Sequence, residues 1–403
     1  MIITLNNDNL ANPTMIGDNN KLAIVHLIKE KGPLSRVEIA QQLGISQPAV
    51  SNNVNALLKS GLIEEVGTDE SQMGRKPVLL KFNSTFGFVL GVNIGEYIIQ
   101  CAIADMEGKL IDFIEVPTIP EKSGEKILNQ LITIIKQVLD RNNIAAEKVL
   151  AAGIGSPGIK SPNTKGNVLA PFIDAWDQID LEGELSMVFP FSIIIENDVD
   201  MDIIGERWKG AGQKYEDMLY LKLGDGVAAR FTINGELYRG KNLAAGEIGF
   251  MVIGKEYLQD SFHSQGALEQ LICNDAIVKR YKEVWQGEYG KPIDCDDINI
   301  VQILKMWDEG ENIAQIVMKE MQLYIAMVLI NIIALLNPEA IILGGQLSKA
   351  SDKFIESIND ILSRNVPFVP DVLLAQLGEK AGIIGAVAVA LEESDKILPM
   401  FWR

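Results

Sequence analysis

The first pattern along the chain is an apolar repeat every three or four residues. In NKLAIVHLIKEKG (20–32), Leu22, Val25 and Ile28 fall on one helix face, and Gly32-Pro33 is a stop signal. Ser35 stands three residues before Glu38, the spacing of a capping box, which predicts a second helix from Arg36 to Leu43 ending at Gly44. Ser46 is the expected cap of a third helix. Its apolar residues Val50, Val54, Leu57 and Leu58 form one stripe. The rhythm then changes to two strands, GLIEEV and PVLLKF, joined by GTDESQMGRK with Arg75-Lys76 at the tip.

The polar side of the third helix decides what this segment is for. It carries Gln47 and Pro48 at its N-terminal end, then Ser51, Asn52, Asn55 and Lys59, with no Asp or Glu. Any amphipathic helix has a polar face. Here, however, the helix–turn–helix spacing is right and a hairpin follows. Asn and Gln read adenine edges bidentately, and a recognition helix uses its first turns to do so. A hairpin behind such a pair is a wing, and a basic tip suits phosphates or the minor groove. Residues 1–82 are therefore expected to be a winged helix-turn-helix domain. Its DNA-contacting residues would be Arg36, Gln47, Pro48, Ser51, Asn52, Asn55, Lys59, Arg75 and Lys76. A winged helix serving protein interaction is the alternative. His26, in the first helix, is expected to be packed or at the surface rather than a ligand.

From Gly87 onward the pattern is strand, glycine turn, strand, then helix. FVLGVNIGEYIIQCAIADMEGKLIDF (88–113) and MLYLKLGDGVAARFTINGELYRG (218–240) share this plan, which predicts a duplicated α/β fold with two lobes and a cleft between them. AIILGGQLSKA (340–350) reads as strand, glycine pair and helix, serving either a phosphate cradle or a tight turn. IIIENDVDMD (193–202) ends an apolar strand in Glu196, Asn197 and Asp198. Glu247 in AAGEIGF and Glu269 in QGALEQL lie near helix starts. Carboxylates and amides of this kind hold the hydroxyls of a polyol. They also cap helices, and spacing alone leaves both readings open for Glu247 and Glu269.

Composition sharpens the division between the two parts. The net charge is −18. Residues 1–80 carry 7 basic and 8 acidic residues, and the remainder carries 29 and 46. A body this acidic does not bind nucleic acid, so DNA contacts must come from the N-terminal segment. Cys101, Cys273 and Cys295 are scattered, and MIITLNNDNLANPTM shows no secretory signal, so a reduced cytoplasmic protein is expected. YIAMVLINIIALL (324–336) is short for a membrane span and reads as a core helix.

At this point the chain resembles the ROK family (repressors, open reading frames and sugar kinases). SRVEIAQQLGISQPAVSNNVNALLKSGLIEE and GRKP are similar to the winged helix of its repressor branch, the xylose and N-acetylglucosamine type. GIGSPG (153–158), ENDVD (196–200), NGELYRG (234–240), AGEIGFM (245–251) and NPEAIILGG (337–345) resemble successive blocks of its actin-like, ribonuclease H-like sugar-kinase fold. The resemblance implies that residues 83–403 sense a ligand and dimerise. It implies a sugar site at Asn197, Asp198, Glu247 and Glu269, with Asp198 where the kinases keep their catalytic base.

The departures from the family pattern matter equally. The kinases' Asp-x-Gly-x-Thr loop reads Asn93-Ile94-Gly95-Glu96-Tyr97 here, and their Gly-Thr-Gly-x-Gly reads Gly224-Asp225-Gly226-Val227-Ala228. Carboxylates thus stand where phosphates need donors, and at an effective dielectric of about 20 two unit charges ~4 Å apart repel by about 4 kcal/mol. Phe250 replaces the family's zinc-binding His, and no cysteine cluster follows it. The expectation is a transcriptional repressor of carbohydrate-utilisation genes without enzymatic activity, cofactor or metal. It would act as a homodimer, or as two such dimers paired into a tetramer, on a palindromic operator under control of a sugar, away from any membrane. An active ATP-dependent sugar kinase and a repressor controlled by a protein partner are the alternatives.

Overall fold

The computed structural model describes residues 13–68, 77–160, 164–170, 172–258, 265–293 and 298–402. The chain opens with α1 (Pro13–Lys31), β1 (Leu34–Ser35), α2 (Arg36–Leu43), α3 (Gln47–Ser60), β2 (Ile63–Thr68) and β3 (Val78–Phe82). Helix α1 starts ahead of the expected Asn20. The Ser35 side chain and Glu38 form the expected capping box on α2, and Gly44 closes that helix at φ 66. Ser46 occupies the N-cap of α3, but its side chain makes no capping hydrogen bond. Beside the wing strands runs β1, which the sequence pattern did not show, giving an antiparallel sheet in the order β1-β3-β2.

Two lobes follow, built on one plan. The first contains β4 (Phe88–Ile94), β5 (Ile98–Asp105), β6 (Leu110–Pro117), α4 (Gly124–Arg141), β7 (Val149–Ser156), the short pair β8 (Ile159–Lys160) and β9 (Asn167–Val168), α5 (Leu181–Ser186), β10 (Ser192–Asn197) and α6 (Asp198–Lys209). The second contains β11 (Met218–Leu223), β12 (Val227–Ile233), β13 (Glu236–Leu237), α7 (Glu269–Ile272), α8 (Asn274–Tyr289), α9 (Ile300–Asp308), α10 (Asn312–Leu336), β14 (Ala340–Gly345), α11 (Asp352–Ser363) and β15 (Asp371–Leu374), and the chain ends in α12 (Ala381–Ile397). The sheet orders are β10-β7-β4-β5-β6 and β13-β12-β11-β14-β15. Each has an antiparallel three-strand meander whose first strand pairs in parallel with the fourth, and the fourth with the fifth. The repeated topology bears out the duplication expected from the glycine-turn pattern.

Two segments depart from their expected form. After β14 the chain makes a 3-10 turn (Gln346–Lys349), and α11 begins only at Asp352. Gly345 there has φ 61, and a Cβ on Gly344 would strike the Tyr220 ring, so the glycine pair serves a tight turn. The apolar run 324–336 belongs to a 25-residue helix, α10, of mean hydropathy 1.7, long and apolar enough to cross a membrane. Its length does not exclude a span, as the short apolar run had implied. Its inner side, including Ile325, Leu329, Ile332 and Ile333, is buried in the core of the second lobe, which marks a core helix.

Helix α12 connects the parts. It returns from the second lobe to lie across β4 and β7, so closely that Gly91 and Gly153 have no room for a Cβ against Val387 and Ala386. It packs against α6 through Gly205 and Gly385, which face the backbones of Ala381 and Met201. Its Ile383, Val387 and Ala390, with Leu398 beyond it, share one apolar cluster with Ile24, Val54 and Phe82 of the winged helix. Helix α12 thus buries apolar surface against both the first lobe and the winged helix.

Candidate functional site

On the winged helix, the stripe Val50, Val54 and Leu57 is fully buried, which turns the opposite side of α3 outward. Gln47, Pro48, Asn52, Asn55 and Lys59 are exposed there, and Ser51 is half-buried. Pro48 lies in the first turn, where its missing N–H costs nothing. Arg36, at the start of α2, places Nη2 3.6 Å from Glu65 Oε1 of the wing. Arg75 and Lys76 lie outside the described residues.

The cleft residues gather where β10 runs into α6. Asn197 is the N-cap of α6: its Oδ1 accepts from the Val199 and Asp200 N–H groups, and its Nδ2 donates to Gly158 O at 2.9 Å. Asp198 follows as the first helical residue, so its carboxylate stands at the positive end of the helix dipole. Opposite them, three cations project from the second lobe. Lys222 on β11 reaches Asp198 Oδ2 and Asp202 Oδ2, each at 2.9 Å. Burial pulls its ammonium pKa down, but Asp198 and Asp202 more than offset this and hold it above the usual value. Arg230 on β12, 1% exposed, donates to Asp200 (2.5 Å), Asn197 Oδ1 (2.9 Å) and Glu247 Oε1 (2.8 Å). Arg239 pairs with Glu196 at 3.0 Å and Asp200 at 3.3 Å.

Glu247 and Glu269 do not cap helices with their side chains. Glu247 spends its Oε1 on Arg230, and Glu269 Oε2 accepts from Val227 N–H at 3.3 Å, across to the second glycine loop. Burial, with Glu247 adding to it, raises the Glu269 carboxyl above its ordinary value. Arg230 thus joins Asn197 and Glu247 through one nitrogen, Glu269 stands in the field of Glu247, and Asp198 belongs to the adjoining Lys222 cluster.

Both glycine loops carry the carboxylates read from the sequence. Glu96 is paired with Lys122 at 3.0 Å, so its charge is partly compensated. Asp225 accepts from Asn274 Nδ2 at 3.0 Å. Tyr97 is 64% exposed, and burial of its hydroxyl, reinforced by Asp225, Glu96 and Asp275, raises its pKa. Glu96 and Asp225 both act on the Tyr97 hydroxyl, so the two loops lie on the same side of the cleft, with Lys122 offsetting the charge of Glu96.

Lys222, Arg230 and Arg239 escaped the sequence pattern because only folding brings β11 and β12 against α6. One signal was present: a lone arginine in the apolar run VAARFTI (227–233) has to be buried with a partner. At the far end of α12, Asp395 contacts His26 (3.2 Å) and Lys29 (2.8 Å) of α1, so His26 is an inter-element contact. Trp402 Nε1 donates to Asp18 at 2.8 Å beside it. His263 and Cys295 lie outside the described residues, while Cys101 and Cys273 are buried and free.

Residues 18–64 match a winged helix-turn-helix DNA-binding family, and residues 89–393 match the ROK family. The xylose repressor of Caldicellulosiruptor bescii is 26% identical over 394 residues, covering 95% of this chain and 98% of that protein. The DNA-binding transcriptional dual regulator NagC of Escherichia coli K12 is 24% identical over 358 residues, 88% of this chain and 87% of its own length. A ROK family transcriptional regulator of known structure, a homologue of the E. coli MLC protein, superposes with a TM-score of 0.80 at 20% identity over 96% of this chain and 99% of that one. With the family match spanning both lobes and α12, the chain belongs to the ROK family.

Proposed function

We propose that the protein is a DNA-binding transcriptional repressor of carbohydrate-utilisation genes, controlled by a sugar bound between its lobes. The observation that carries this reading is the continuity from cleft to winged helix. Asn197 and Asp198 start α6, α6 is packed without side-chain clearance on α12, and α12 shares its core and the Asp395 contacts with α1. A change in the angle between the lobes would therefore be felt by the winged helix. Residues 1–82 would be the reading head and 83–403 the sensor. Arg36, Gln47, Pro48, Ser51, Asn52, Asn55, Lys59, Arg75 and Lys76 are the proposed DNA contacts, and Asn197, Asp198, Glu247 and Glu269 the proposed sugar contacts. Two copies on a palindromic operator in the cytoplasm fit a module that alone buries little DNA.

The same reading takes the cleft as non-enzymatic. A general base must reach the proton it removes. Lys222 anchors the Asp198 carboxylate through Oδ2 and balances its charge, and Glu96 and Asp225 place carboxylates in the glycine loops. The discriminating experiment is thermal denaturation of the full chain with pentoses, hexoses, amino sugars and their phosphates, each with and without MgATP. A ligand at 100 times its Kd stabilises by about 2.7 kcal/mol. A shift with a sugar and none with MgATP supports the sensor. A MgATP shift with sugar phosphorylation that Asp198→Asn abolishes would establish a kinase instead, and no shift with any sugar would favour control by a protein partner.

A further inference from the structure

The three cations of the cleft come from one lobe, and apart from Glu247 their carboxylate and amide partners lie between residues 196 and 202 of the other. Arg230 differs from Lys222 and Arg239 in one respect: it shares two acceptors with the proposed sugar site. Its Nη2 donates to Asn197 Oδ1 and Glu247 Oε1, its Nε to Asp200, and its Nη1 to Ala229 O at 2.8 Å. Asn197 has meanwhile given its Nδ2 to Gly158 O, so its amide has little capacity left for a ligand. The cavity beside Asn197, Asp200, Glu196 and Arg239 measures about 40 Å³, whereas small-molecule sites are usually ~300–1,000 Å³. The larger cavity of about 840 Å³ that also borders Glu196 and Arg239 is lined by neither Asn197 nor Arg230.

We propose that Arg230 is a built-in occupant of the effector site. Its guanidinium holds Asn197 and Glu247, and an entering sugar displaces it from those two side chains. This rests on the reading of the cleft as a sugar sensor. A sugar hydroxyl donates to a carboxylate or amide oxygen as a guanidinium N–H does, and its own oxygen accepts from the Arg230 Nη2 that has lost Asn197 and Glu247, so donors and acceptors stay matched. Arg230 keeps Asp200 and Ala229 O as partners, so its charge does not become orphaned. Since Arg230 belongs to β12 and Asn197 to the head of α6, the exchange also breaks one of the ties between the lobes at the point from which α6 leads to α12. A ligand that displaces an internal partner thereby acquires the differential contact with two states that a switch requires.

The test is calorimetric titration of the full-length protein and its Arg230→Met variant with D-xylose, D-glucose and N-acetyl-D-glucosamine. If the Arg230-engaged form holds about nine-tenths of the population before sugar is added, its removal tightens binding about tenfold. The expected result is therefore a lower Kd in the variant for the sugar that binds wild type. An unchanged or weaker Kd would make Arg230 an ordinary structural ion pair and overturn the proposal. Should Arg230→Met fail to fold by circular dichroism, Arg230→Met with Asp200→Asn removes both buried charges and carries the same comparison. Failure of both variants to fold would likewise assign Arg230 a structural role. Absence of sugar binding by wild type and variants alike would overturn the sensor reading, and this proposal with it.

Discussion

Lys222 Nζ lies 2.9 Å from Asp198 Oδ2 and the same distance from Asp202 Oδ2, so one cation of the second lobe holds two carboxylates on consecutive turns of α6. The family resemblance assigned Asp198 the position of a catalytic base. In this chain it is one end of an inter-lobe ion pair, and the cleft is organised by such pairs.

The Lys222 cluster makes a pH-dependent contribution that can be measured. Burial pushes the Asp202 carboxyl up to about 6, against the opposing pull of Lys222. Its folded-state value thus exceeds its unfolded one, so the native protein binds the extra proton as pH falls through about 6. Wild type should gain stability relative to Asp202→Asn between pH 7.5 and 5. Tm curves of the two proteins across that range check this, and parallel curves would mean that Asp202 does not titrate there.

Asp395 should act as the fastening between sensor and reading head. Burial raises its carboxyl pKa, but the His26 hydrogen bond and Lys29 outweigh it and bring it below the ordinary value. Its stabilising contribution is therefore present above the ordinary carboxylate range and lost as pH falls through the lowered value. Both partners are partly exposed, so Asp395→Asn should cost only about 1 kcal/mol of global stability. Its larger expected effect is faster backbone hydrogen exchange in α1, measured by mass spectrometry. Unchanged exchange in α1 would remove Asp395 from the connection.

For the reading head, Asn52→Ala should relax base preference without abolishing binding. A good bidentate side chain–base pair discriminates by about 1–3 kcal/mol. Competition assays between the operator and single-base variants check it, and preserved discrimination would move base reading elsewhere on α3.

The N-terminal helices and the duplicated lobes were legible in the sequence because their signals are local. The Ser35–Glu38 spacing, the Val50–Val54–Leu57 stripe and the two strand–glycine–strand segments each depend on neighbouring residues. Glu247 and Glu269 stayed ambiguous because a carboxylate near a helix start fits either a cap or a ligand site until its partner is seen. That partner is 17 residues upstream for Glu247, in Arg230, and 42 residues upstream for Glu269, in Val227. Lys222 and Asp198 are 24 residues apart and meet only when β11 packs against α6. Strand β1 was missed because two residues, Leu34 and Ser35, are too few for an alternation to register. The return of α12 to the first lobe could not be read from its own pattern, since AGIIGAVAVA is apolar on every side.

If the cleft speaks to the winged helix, operator affinity depends on the sugar bound between the lobes. Fluorescence anisotropy of a labelled operator should show that the sugar stabilising wild type also changes its operator affinity, and that Glu247→Gln loses this response. A sugar that binds tightly in the cleft yet leaves operator affinity unmoved would mean that cleft and winged helix are uncoupled.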